Sequence, residues 1–330
     1  MQPSLTAPNR EVLRTANTWI RQGKQVILAT VLQTWGSAPR PVGSLAAITT
    51  AGEIAGSVSG GCIEDDLITR IRNKQLAIER PETISYGVNS DEARQYGLPC
   101  GGRLMLLLEK LGGAIFPGEV LASIETRTPI TRRLCCSTGS STLLPGWRGA
   151  SRFHWDGETL EQPFFPDWRM LIVGAGQLSH YVAQLALTLE YDVIVCDPRE
   201  EYLATWNVTG VHLDSRMPDD AVTALASDRH SVIVALTHDP KLDDMALMTA
   251  LDSDAFYVGA LGSHTTNRNR RRRLASLGVS ATGIARLRGP VGLPIGSRTP
   301  AEIAVAILAE VTAERHGVRL AAMEEEKPLA

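Results

Sequence analysis

Two cysteines set against paired glycines carry the clearest chemistry in this chain. Gly60-Gly61-Cys62 closes a Ser/Gly turn that starts at Gly56 and includes Ser59, and Cys100-Gly101-Gly102 is followed directly by Arg103. A thiolate is a soft ligand and a nucleophile, and a helix N-terminus favours it because unpaired N–H groups and the helix dipole attract negative charge. An apolar-periodic segment begins at Cys62, so Cys62 is expected at such an N-terminus, with the glycines letting backbone N–H groups approach a ligand. Arg40 is the one cation in the Gly/Pro-rich loop from Thr34 to Gly43. It suits a ligand with negative oxygens. Two thiols converging from separate loops can hold a soft metal, a sulfur-bearing cofactor or a persulfide. Neither cysteine has the close Cys or His partners of a structural zinc site. The competing reading is that both glycine pairs only permit turns and the thiols pack as small apolar groups.

The C-terminal half offers a different chemistry. Met170–Val173 reads as a buried strand, then Gly174-Ala175-Gly176-Gln177-Leu178-Ser179, then apolar residues at helical spacing from Leu178 to Leu189, then a strand, Asp192–Cys196, ending at Asp197. Strand, Gly-x-Gly turn, helix, strand and acid, with the acid about 20 residues on, is the dinucleotide-binding pattern. Gly174 and Gly176 would offer N–H groups to a pyrophosphate at the helix start, and Asp197 would accept from ribose hydroxyls. Two later strands end at Thr237-His238-Asp239 and at Gly259–His264, which places His238 and Ser263 at the carboxyl ends of strands, where parallel sheets bind ligands. Cys196 alternates inward and is expected in the core.

The elements that must position these residues follow from periodicity. Asn9–Gln22 reads as an amphipathic helix, with strands over Gln25–Gln33, Ser44–Thr50 and Glu53–Val58. A helix over Ile63–Glu79 carries Glu64, Asp65 and Asp66 in its first turn, where acids stabilise a helix without any further role. Strands are expected over Thr83–Tyr86 and Leu104–Glu109. Periodicity weakens from Gly112 to Asp167, and this stretch reads as a variable linker with a strand over Thr131–Ser137 and a hairpin over Arg152–Gln162. The adjacent Cys135 and Cys136 should point to opposite faces of that strand and are read as structural. Thr299-Pro300-Ala301-Glu302 is a capping box that fixes the start of the last helix. The organisation is thus residues 1–111 as an N-terminal cofactor domain, 112–167 as linker, and 168–330 as a Rossmann-like domain. The fold class is α/β, an N-terminal α/β domain with the Gly-Gly-Cys loop plus a parallel-sheet domain.

Composition bounds the function classes. At 330 residues, 44% apolar and with a net charge of −3, the chain has ordinary cores and no general electrostatic case for nucleic acid or an anionic membrane. Five cysteines without regular spacing argue against a disulfide framework and fit a reducing compartment. No apolar signal core opens the chain and no apolar run reaches the length of a membrane span, so a soluble cytoplasmic protein is expected. Asn267–Arg273 holds five arginines. Such a run is a solvated helix face or a docking surface for an acidic partner or for cofactor phosphates, rather than a nucleic-acid site.

Together, Thr34-Trp35-Gly36-Ser37-Ala38-Pro39-Arg40, Gly56–Glu64, Cys100-Gly101-Gly102, Thr237-His238-Asp239-Pro240-Lys241, Gly259–Ser263 and Gly292–Pro300 resemble the XdhC/CoxI family along nearly the whole chain. The resemblance implies a non-catalytic accessory protein of molybdenum hydroxylases such as xanthine dehydrogenase and aldehyde oxidoreductases. Its implied role is to bind the molybdenum cofactor, protect it during sulfuration by a cysteine desulfurase, and deliver it to the large subunit of the apo-hydroxylase. Overall likeness points to the accessory protein of a periplasmic aldehyde oxidoreductase, and hence to the molybdopterin cytosine dinucleotide form. A cofactor nucleotidyltransferase and a second copy of the chain are further candidate partners. The family's Gly-Gly-Cys falls on Gly60, Gly61 and Cys62, and its Cys-Gly-Gly on Cys100, Gly101 and Gly102. Cys62 is then the leading contact to molybdenum or its sulfur, and Cys100 the second. Gln177-Leu178 and Glu190-Tyr191 depart from the usual residues around the Rossmann turn. The rival reading is an NAD(P)-dependent oxidoreductase with Cys62 as redox thiol and His238 as its acid/base. A third is a scaffold bridging desulfurase and hydroxylase, with no ligand.

Overall fold

The computed structural model describes residues 7–35, 40–76, 79–87, 103–112, 115–146 and 153–318. It divides into two compact units, Met1–Asp167 and Trp168–Ala330.

The first unit is built on a long strand, β1 (Val26–Trp35), buried on both faces along Val26–Leu32. It lies at the centre of an antiparallel sheet in the order β3 (Ile54–Gly56), β2 (Leu45–Thr49), β1, β5 (Arg103–Lys110), β4 (Glu82–Tyr86). Alternation sorts its side chains. Ile27, Ala29 and Val31 pack with Ile63, Leu67 and Ile71 of helix α2 (Cys62–Arg72) on one face. Val26 and Leu28 pack with Val12, Leu13 and Ala16 of α1 (Ala7–Arg21) and Phe116, Val120 and Ile124 of α3 (Ile115–Glu125) on the other. Helices on both faces explain why β1 reads as a continuous apolar run. Helix α2 ends at Arg72, short of the expected Glu79, because Asn73 caps it and Lys74 adopts a left-handed φ of 54°.

The described residues between 112 and 167 form a helix and four strands where the sequence reading expects a variable linker. Beyond α3, strands β6 (Ile130–Cys135), β7 (Ser141–Pro145), β8 (His154–Trp155) and β9 (Thr159–Phe164) form a four-stranded antiparallel sheet in the order β7-β6-β9-β8. Arg132 of β6 makes a buried bidentate pair with Glu109 of β5, at 2.6 and 2.5 Å, beneath the Phe116 ring. Short strands with one polar face give little periodic signal, which is why this sheet is faint in the sequence.

The second unit is a six-stranded parallel sheet: β12 (His212–Asp214), β11 (Asp192–Cys196), β10 (Arg169–Val173), β13 (Ser231–Ala235), β14 (Tyr257–Ala260), β15 (Leu287–Arg288). In chain order this is 3-2-1-4-5-6, the doubly wound arrangement, with its switch point between β10 and β13. Met170 and Ile172 face α4 (Gln177–Thr188) and α10 (Pro300–Arg315). Leu171, Val173 and the buried Cys196 face α6 (Pro218–Leu225), α7 (Pro240–Asp252) and α8 (His264–Ser276). The expected capping box is present: Thr299 Oγ1 accepts from Glu302 N–H, and Glu302 accepts from Thr299 N–H. Two short helices, α5 (Glu200–Leu203) and α9 (Ala281–Arg286), complete the unit. Among the described residues no helix is long and apolar enough to cross a membrane.

Candidate functional site

In the first unit the Gly-Gly-Cys turn carries its anion already. The carboxylate of Glu64, 6% exposed, sits inside the turn. Oε1 accepts from the N–H groups of Val58, Ser59 and Gly60 and from Ser57 Oγ. Oε2 accepts from Gly61 N–H and Ser59 Oγ. Burial pushes Glu64 up, but the hydroxyls of Ser57 and Ser59 and the backbone donors pull harder and hold its pKa at about 2. The expectation that Gly60 and Gly61 turn their N–H groups toward a ligand is corrected: they face Glu64, as does the hydroxyl of Ser59. The glycines are needed for shape, with φ of 98° at Gly60 and 151° at Gly61. What the turn presents outward is Cys62, exposed at the first position of α2. The turn is thus a rigid plinth for one thiol.

Arg40 is half-buried, and its side chain has no hydrogen-bond partner among the described residues. Arg103 opens β5 with its guanidinium 5.0 Å from the centre of the exposed Trp35 ring. Cys100, Gly101 and Gly102 lie outside the described residues, as do residues 36–39 of the Arg40 loop. Among the described residues no group of three His, Cys, Asp or Glu side chains can hold a metal ion. The adjacent Cys135 and Cys136 are chemically unlike. Hydrogen bonds from Ser137 and Thr138 lower Cys135 to about 7, whereas burial, with the Glu109 charge, raises Cys136 to about 11.

In the second unit a cleft of about 1080 Å³ opens at the switch point. Its walls are the α4 start (Gly176, Gln177, Leu178), the loop after β13 (Thr237, His238), the loop after β14 (Gly262, His264) and the long segment Gly289–Arg298. Gly176 lines the cleft and caps α4 with no side-chain acceptor, so the helix N-terminus is open to it. His238 also lines it, exposed and in a left-handed φ of 62°.

Three expected contacts are corrected. Gly174 is a packing residue: with φ of 105°, a Cβ here would lie 2.9 Å from Thr237 Cα, so glycine lets β10 and the β13 loop close together. Asp197 is fully buried and committed. Oδ2 accepts from Ala175 N–H and Arg199 Nη2, and Oδ1 from the N–H and Nε of Arg199, so no oxygen faces a ribose. Ser263 spends its hydroxyl as the N-cap of α8, accepting from Thr266 N–H.

Sequence reasoning missed what carries the cleft's charge. Arg199 lines it beside Tyr202, whose ring lies 3.9 Å from the guanidinium carbon. Arg298 reaches it with no side-chain partner among the described residues. Glu310, the acid of the lining, accepts from Tyr257 OH and Gly292 N–H, both at Oε2. Three arginines of the run are committed to partners within the unit, and one of them, Arg270, is buried. Arg270, 3% exposed, donates to Leu261 O, Asn267 Oδ1 and Asp243 Oδ2, Arg273 pairs with Asp244, and Arg271 donates to the carbonyls of Leu287 and Gly289. Asp243 in turn accepts from the N–H and Oγ1 of Thr237. Helix α8 therefore braces the cleft loops, leaving Arg268 and Arg272 outward.

Residues 19–87 match the XdhC and CoxI family and residues 170–311 the XdhC Rossmann domain. The chain is 30% identical over 314 residues to the molybdenum cofactor insertion chaperone PaoD of Escherichia coli strain K12, spanning 95% of this chain and 91% of the relative. It is 26% identical over 321 residues to a probable xanthine dehydrogenase component of Bacillus subtilis strain 168, spanning 89% and 94%. A crystal structure described as a xanthine dehydrogenase from Bacillus halodurans has the same fold, with a TM-score of 0.70 at 21% identity, covering 96% of this chain and 98% of that one.

Proposed function

The chain belongs to the XdhC and CoxI family, and on that premise we propose that it is a carrier that binds the molybdenum cofactor and inserts it into an apo molybdenum hydroxylase. The observation that carries this reading is the likeness to the Escherichia coli insertion chaperone, which runs through both units rather than through the Rossmann unit alone. The first unit supports it with an exposed thiol on a turn that Glu64 pre-organises, as a soft-sulfur or metal contact would need. The second supports it with a cleft of cationic surplus, suited to a phosphorylated ligand. Cys62 is the leading residue of the first unit, and Arg40, Arg103 and Cys100 are further proposed contacts there. Gly176 and His238 are the corresponding residues of the cleft.

Within this reading the carrier holds and protects the cargo during sulfuration by a cysteine desulfurase, performs no chemistry itself, and works in the cytoplasm. The large subunit of an aldehyde oxidoreductase and the cytosine dinucleotide form are the proposed target and cargo. A nucleotidyltransferase and a second copy of the chain are further proposed contacts. Residues 1–111 and 168–330 are the proposed cofactor and Rossmann domains.

The test is hydroxylase loading in cells with and without the chain. In its absence the hydroxylase polypeptide should accumulate folded but with molybdenum content reduced by roughly ten-fold or more, the scale on which lost metal contacts act. Full loading without the chain would overturn the reading.

A further inference from the structure

In doubly wound folds the acid at the end of the second strand accepts from the ribose diol, and a nearby arginine instead accommodates a phosphate on that ribose. Here the acid is unavailable. Asp197 is fully buried, and both its oxygens are filled by Ala175 N–H and by the backbone and side chain of Arg199. Arg199 stands in front of it, on the cleft wall. A guanidinium has five N–H donors. Arg199 gives Asp197 one from Nε and one from Nη2, and the edge facing away from Asp197 keeps the rest. Tyr202, also on the wall, backs the guanidinium plane. The arginine is thus held in one orientation on both sides, with a bidentate edge left for an anion. Glu310, the carboxylate of the lining, accepts from Tyr257 OH and Gly292 N–H at Oε2 and makes no hydrogen bond to Arg199, while the charge of Asp239 also bears on Arg199 without a hydrogen bond to it.

We propose that Arg199, fixed by Asp197 and Tyr202, reads a phosphate on the ribose, so that the cleft takes ribose-phosphorylated nucleotides in preference to those with a free diol. This goes beyond the carrier role and rests on the cleft being a nucleotide site; a cytosine dinucleotide, whose ribose diol is free, is then held there less tightly than a ribose-phosphorylated nucleotide. The selectivity comes from two effects of one ion pair. It removes the acceptor that a free diol needs, and it presents the donors that a phosphate needs.

The test uses the full chain and two probes that differ only in the 2′ group, adenosine 2′,5′-bisphosphate and adenosine 5′-monophosphate, with binding measured by calorimetry. The bisphosphate should bind about ten-fold or more tightly, the worth of a charge-assisted pair of hydrogen bonds. Arg199→Gln, whose amide can still donate to Asp197, should bring the two probes to equal affinity. Tyr202→Ala, which removes the backing ring without touching Asp197, should narrow the preference, and thermal melts of both variants verify folding. Equal affinities in the wild type would overturn the proposal while leaving the nucleotide reading of the cleft in place. Binding of neither probe would overturn both.

Discussion

Glu64→Ala should unfold the first unit at markedly lower denaturant, with a loss of about 3 to 5 kcal/mol. The variant strands the N–H groups of Val58, Ser59 and Gly61 and the hydroxyls of Ser57 and Ser59, while Gly60 N–H keeps Ser57 Oγ as an acceptor. The acid limb of stability gives an independent measure. The carboxyl falls from 4.5 to about 2 on folding. A depressed carboxylate contributes stability that is complete above its unfolded pKa and is lost as pH falls through the folded one. Some 2.5 units correspond to about 3 kcal/mol, present above pH 4.5 and gone near pH 2. Urea midpoints between pH 2 and 6 should therefore fall steeply for the wild type and more shallowly for both Glu64→Ala and Glu64→Gln. A variant as stable as the wild type at pH 7 would mean the turn holds its shape without Glu64.

Arg270→Ala is the corresponding experiment in the second unit. Removing the guanidinium leaves Asp243 buried without its charge partner and frees Leu261 O and Asn267 Oδ1. Breaking a buried pair from one side costs about 3 to 5 kcal/mol. Burial already raises Asp243 and lowers Arg270, so both groups sit where their charged forms are costly. A carboxyl with a raised folded pKa is neutral, and harmless, at low pH, and its penalty appears as pH rises past the unfolded value. The deficit of Arg270→Ala should accordingly be full at pH 7 and shrink on acidification. The same variant should weaken phosphate-ester binding in the cleft, because Asp243 holds Thr237 and Arg270 holds Leu261 on its two walls. A loss that does not vary with pH would remove Asp243 from the account.

What the sequence discloses and what it hides follow from how far apart the partners stand. Strand alternation and helix spacing are local, so β1, the β10–α4–β11 unit and the Thr299 cap are readable residue by residue. Residue spacing also places Asp197 correctly at the end of β11. It does not say where the carboxylate points, and the neighbour two residues on, Arg199, decides that. Glu64 looks like any first-turn acid, because the donors that fill it are backbone N–H groups, which have no letter in a sequence. The run from Asn267 to Arg273 looks like a solvated face, because the acids that turn Arg270 and Arg273 inward lie 27 and 29 residues upstream. The four-stranded sheet within 112–167 is hidden by the shortness of its strands. The second Cys-Gly-Gly element lies outside the described residues, and its part in the site rests on the sequence.

The central claim, that Cys62 holds a molybdenum cofactor cargo, is tested most directly by the molybdenum and pterin content of the chain purified from cofactor-producing cells, beside Cys62→Ala. Cys62 is exposed and opens a helix, where alanine fits without loss of packing, so the variant isolates the thiol. The account predicts near-stoichiometric cofactor on the wild type and roughly ten-fold less on the variant, with equal melting temperatures. Equal cofactor on both proteins would contradict it and move the cargo site away from the Gly-Gly-Cys turn. A protein that carries nicotinamide nucleotide and no molybdenum would contradict the carrier reading altogether.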